Sequence, residues 1–114
     1  MRFSVQQIKY EFLYAIKEFD SDGSLWQVVS SPRPPHETLE SMGHDVAGFI
    51  YLGKPAGTPR AATIVKTYFE ERFDVIDSGV CEGEGVAEWV ILFRSKKSLP
   101  TEANLLEPAV TVKA

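Results

Sequence analysis

His36, Glu40 and His44 recur one helical turn at a time in HETLESMGHD (residues 36 to 45), with Asp45 adjacent. Imidazoles and carboxylates on one helix face are metal-ligand types. At 1.5 Å rise per residue the two rings would stand about 12 Å apart, too far to share one ion. Nor is this HExxH, where histidines one turn apart bind zinc. The stretch reads as surface loop histidines, and neither a metal nor another cofactor is expected.

Cys81 is the only cysteine. A histidine base could activate it as a nucleophile, but no local pattern brings either histidine to it. A small buried thiol is the expectation. SGVCEGEG (78 to 85) has loop glycines, yet it lies between two strand-like runs, and a phosphate cradle needs a following helix N-terminus. Its Glu82 and Glu84 would also repel phosphate. Carboxylates crowd residues 70 to 88: Glu70, Glu71, Asp74, Asp77, Glu82, Glu84 and Glu88 face Arg72 alone. Acid–base work needs two of them to converge in an apolar cleft, which no spacing here specifies. They read as an acidic surface, and occupying a phosphate-binding site is a secondary reading of it. Trp26, Phe49, Tyr51 and Trp89 are the aromatic candidates to line a ligand pocket.

The elements that must position these groups are punctuated clearly. Ser4 and Gln7 form a capping box, with Phe3 and Ile8 as a hydrophobic staple. Val5, Ile8, Phe12, Ala15, Ile16 and Phe19 follow on one face. Tyr10, Leu13 and Tyr14 make a second face, which predicts cover from two sides. DSDG (20 to 23) ends the helix. SLWQVVS (24 to 30) reads as a strand, SPRPP as irregular, HETLESMGH as a short helix, and DVAGFIYLG (45 to 53) as a second strand. Thr58 and Pro59 are an N-cap and first-turn pair. They open a helix to about Arg72 that buries Ala62, Val65, Phe69 and Phe73. DVIDSGVCE and GVAEWVILFRS read as two strands of a hairpin turning near GEG.

YAIKEFD (14 to 20) aligns with YFEERFD (68 to 74), and VAGFIYL (46 to 52) with VAEWVIL (86 to 92). Two αββ units follow, the first carrying an insertion over 31–44. The predicted fold is α+β in the order αββαββ, with a four-stranded antiparallel sheet and two helices on one face. Residues 1–97 form the domain, and 98–114 a flexible or extended tail whose AVTV could add to a partner's sheet edge.

Which side of the sheet meets the helices is the functional question. Ala87, Trp89, Ile91 and Phe93 are placed against them. Ile50, Leu52, Val90 and Leu92 then fall on the far side, apolar where an exposed sheet should alternate with polar residues. That patch predicts an interface, unless the 31–44 insertion folds over it.

With a net charge of −4 and only Arg94, Lys96 and Lys97 as a compact basic patch, nucleic acid is a poor partner. No apolar run is long enough to span a membrane, and one cysteine with no export pattern predicts a cytoplasmic chain. The leading reading is a non-catalytic protein that binds another protein, as an adaptor, inhibitor, immunity or counter-defence factor, and forms a homodimer. The alternative is a small-ligand sensor or small enzyme with a pocket between sheet and helices.

Overall fold

The computed structural model describes residues 3–19 and 22–98. Helix α1 (Val5–Phe19) leads into strand β1 (Gln27–Ser31), and helix α2 (Pro35–Ser41) into strand β2 (Phe49–Pro55). Helix α3 (Pro59–Phe73) precedes strands β3 (Ile76–Val80) and β4 (Trp89–Ser95). Short 3-10 turns at Gly23–Leu25, Val46–Gly48 and Lys96–Ser98 join them. The protein is α+β with one four-stranded sheet.

Both long helices begin where their caps require. The Ser4 hydroxyl accepts from Gln7 N–H at 3.1 Å, and Gln7 Oε1 accepts from Ser4 N–H at 3.0 Å. Two donors that no helical carbonyl can reach are thereby satisfied. Thr58 accepts from Ala61 N–H at 3.0 Å, with Pro59 in the first turn. α3 buries Ala62, Val65, Lys66 and Phe69, while Phe73 stays partly exposed.

The sheet departs from the expected arrangement. Its strand order is β2-β4-β1-β3, with β4 antiparallel to β1 and β2, and β1 parallel to β3. The sheet is therefore mixed, not fully antiparallel. Neither expected hairpin forms, because β4 inserts between β1 and β2 and is itself separated from β3 by β1. The two αββ units thus do not repeat in their pairing, and the GEG segment belongs to a crossing loop rather than a tight turn.

The two faces are also the reverse of the expected ones. Val28, Val90 and Leu92 lie in one core with Ile8, Phe12 and Ile16 of α1 and Val65 and Phe69 of α3, with Ile50 and Leu52 packed against it. Ile91 and Phe93 instead form a second core with Val29 and Leu39 of α2. Val90 and Leu92 are 0% exposed, so that half of the predicted interface is interior to the chain, while Ile50 and Leu52 are partly buried at its border. Arg94 shares their face and is fully buried. Its guanidinium lies 5.4 Å from the Trp26 ring, and its Nε donates to Ser98 Oγ at 2.9 Å. A charge with such partners can sit inside, so the Arg94 side of the strand is not the water side.

The 31–44 segment does not cover the Ile50, Leu52, Val90 and Leu92 face as expected; its helix α2 covers the opposite one, over Ile91 and Phe93. α2 lies on the second face because Gly53 has no side chain: a Cβ there would stand 2.2 Å from Pro35 Cγ and 3.2 Å from Ile91 Cγ1. Gly23 serves a second close approach, its Cα lying where a Cβ would meet the Phe73 carbonyl oxygen at 2.0 Å. The predicted tail falls, from residue 99 onward, outside the described residues.

Candidate functional site

Three groups of residues could carry function: the predicted aromatics and acids, the surroundings of Cys81, and the outward side of α1. The predicted pocket does not exist as one place. Trp26 belongs to the core under α1 and α3, whereas Phe49 and Trp89 pack on the α2 side with the sheet between. Tyr51 pairs with Phe93 in register and is partly exposed. The predicted acids spread out as well. Glu70 and Glu71 lie on α3 and Asp74 ends it, while Glu82 and Glu84 lie beyond the far end of β3. Asp77 is paired with buried Lys66 at 3.4 Å.

The histidines part company too. His36 pairs with Glu40 at 3.2 Å on the exposed side of α2. His44 rests its ring against Phe49 and Phe93, with centroids at 4.6 and 5.8 Å. Among the described residues no three histidine, cysteine or carboxylate side chains gather where a metal could be held.

Cys81 follows β3 at the edge of the second core, beside the end of β1 and the end of α2. Its Sγ lies 3.2 Å from Ser41 Oγ and accepts from Arg33 Nη2 at 3.7 Å. The same nitrogen donates to the Glu82 carbonyl at 2.6 Å, which fixes the guanidinium beside the sulfur. Partial burial pushes the thiol pKa up, but hydrogen bonds from Ser41, Arg33 and Ser31, together with the Arg33 charge, outweigh it and hold the pKa below its ordinary value. The sequence predicts a small buried thiol without a histidine base; the thiol is only partly buried. The real neighbours come from three separate elements, and no local spacing announces them.

The lowered pKa has a sign that can be checked. The thiolate forms at lower pH than in the unfolded chain, so the pH midpoint of iodoacetamide alkylation should fall below that of the urea-unfolded protein. Arg33→Gln should raise that midpoint again. Coincident midpoints for folded and unfolded protein would remove this account of the sulfur's surroundings.

The outward side of α1 is the most exposed aromatic surface. Tyr10 and Tyr14, one turn apart, are 72% and 66% exposed. The sequence marks them as a second face needing cover, yet among the described residues nothing covers them. A groove of ≈ 370 Å³ runs on the β2 side, lined by Tyr10, Glu11, Tyr14, Ala15, Glu18 and Leu52. A second, of ≈ 300 Å³, runs toward α3 between Tyr10, Leu13 and Tyr68, with Gln6 and Lys9 at its rim.

The β3 edge also exposes apolar residues, Ile76 and Val80. Its backbone is interrupted, however: Gly79 N–H donates to the Asp77 carboxylate at 2.8 Å, and the Gly79 carbonyl accepts from Lys66 Nζ at 2.7 Å. No helix among the described residues is long and apolar enough to cross a membrane. The chain matches no family model, no curated protein and no solved structure.

Proposed function

We propose that the protein is a non-catalytic binding module that engages another protein through the outward face of α1. The observation that carries this reading is the pair Tyr10 and Tyr14, held exposed on a rigid helix with a groove on either side. Tyrosine is enriched at protein interfaces and hot spots because a rigid ring covers much area at little entropic cost. Capping at Ser4 and packing of Ile8, Phe12 and Ile16 fix the helix before any partner arrives, so little ordering opposes binding. An adaptor, inhibitor, immunity or counter-defence protein is the class to which this reading belongs.

Substituting both rings tests it. Tyr10→Ser with Tyr14→Ser should leave the melting temperature near wild type, since exposed positions contribute little to the core. The same double variant should weaken capture of the cognate protein by more than about tenfold if the rings are hot spots. Val86→Ser, at an exposed site in the loop before β4, should leave capture unchanged. Equal capture by wild type and the double variant would refute this use of α1.

A further inference from the structure

We infer that the partner segment seated on α1 carries a cationic side chain, arginine or lysine, placed in the groove beside Leu52 with its charge against Glu18. This rests on α1 being the docking surface.

The chain already shows how its aromatic rings are used. Lys9 Nζ lies 4.2 Å from the Tyr68 ring centroid, and the Arg72 guanidinium 5.4 Å from the same ring. Lys54 Nζ lies 4.5 Å from the Phe3 ring. Neither Tyr10 nor Tyr14 has a cation over its ring among the described residues. Two electron-rich faces are therefore left open on the most exposed helix.

Charge at the groove points the same way. Glu11 is neutralised by Lys54 at 3.1 Å. Glu18, on the same groove, is exposed and has no ion-pair partner among the described residues. The site thus carries one uncompensated negative charge beside two aromatic faces and the apolar side chains of Ala15 and Leu52. An aliphatic stem ending in a positive charge matches each of those features. The net charge of −4 adds long-range attraction for such a partner.

A second copy fits less well, because it brings the same net charge of −4 to a groove that already carries Glu18. An acidic segment would face Glu18 directly and be repelled.

The test is a titration of the isotope-labelled full chain followed by amide NMR. The probes are a short capped peptide alternating leucine and arginine and its glutamate counterpart. The arginine peptide should shift amides of α1 around Tyr10 to Glu18 and of Leu52, and the shifts should shrink as salt is raised. Glu18→Gln should weaken binding about two- to fivefold, the range of a surface ion pair. Tyr14→Ala should weaken it about tenfold. Absence of shifts with the arginine peptide, or equal shifts with the glutamate peptide, would overturn the inference. So would concentration-dependent shifts on α1 in the protein alone, which would make the occupant a second copy. If both peptides fail while the double tyrosine variant still loses its partner, the cation is wrong and the docking surface stands. If that variant keeps its partner, the docking surface itself is wrong.

Discussion

Leu92→Glu is expected to abolish the folded state. Leu92 sits in the centre of the sheet, paired with Val28 of β1 and Leu52 of β2, and has no exposure. Losing a buried leucine side chain costs about 2–5 kcal/mol. The carboxylate that replaces it would be buried among apolar side chains, with the nearby Arg94 already bonded to Ser98, at a further cost of several kcal/mol. Together these reach the lower half of the roughly 5–15 kcal/mol that holds a domain of this size, enough to unfold a marginally stable chain. Far-UV circular dichroism and amide NMR dispersion should show an unfolded chain at neutral pH. A folded monomer with wild-type stability would mean that Leu92 lies on an open surface, as the strand pattern alone suggested, and would overturn the assignment of faces.

Trp26→Ala should destabilise by about 3–5 kcal/mol, seen as a lower urea midpoint at unchanged slope. The indole is almost wholly buried, packs on Phe19 at 5.9 Å and lies beneath the Arg94 guanidinium. Its backbone carbonyl accepts from Ile76 N–H at 3.0 Å, so the residue also starts the parallel pairing of β1 with β3. Trp26→Phe should cost less, about 1.5 kcal/mol or below, because a ring still fills the space. It also removes Nε1, a buried donor without a hydrogen-bond partner. Equal losses for Ala and Phe would mean that the indole nitrogen, not the packed ring, is what the site needs.

Much of the fold was legible where the deciding contacts are short in sequence. The capping box at Ser4, the cap at Thr58 and the stripe through Ile8, Phe12 and Ile16 join residues no more than a turn or so apart, and all three form as read. The 31–44 segment reads as cover for the face of Ile50, Leu52, Val90 and Leu92, whereas α2 packs on the opposite face over Ile91 and Phe93. The candidate site was half legible: Tyr10 and Tyr14 stood out as a surplus apolar face, but the reading supplied a cover that the fold does not provide. Glu18 gave no signal, because an exposed glutamate near a helix end is ordinary until its groove is seen.

What failed shares one cause. Residues 86 to 94 are apolar in both parities, so a period of two cannot say which side meets the helices. Sequence-adjacent strands commonly pair, yet hairpins lost here to an arrangement that buries β4 and β1 between the edge strands β2 and β3. The amino-acid order by itself determined the helices, their starts, the strand-forming runs and the acidic balance, since each depends on neighbours along the chain. Strand partners, the inward turn of Leu92 and Arg94, the neighbours of Cys81 and the bare tyrosines of α1 were decided only in three dimensions. Each depends on which distant surface arrives to exclude water, and no local pattern encodes that.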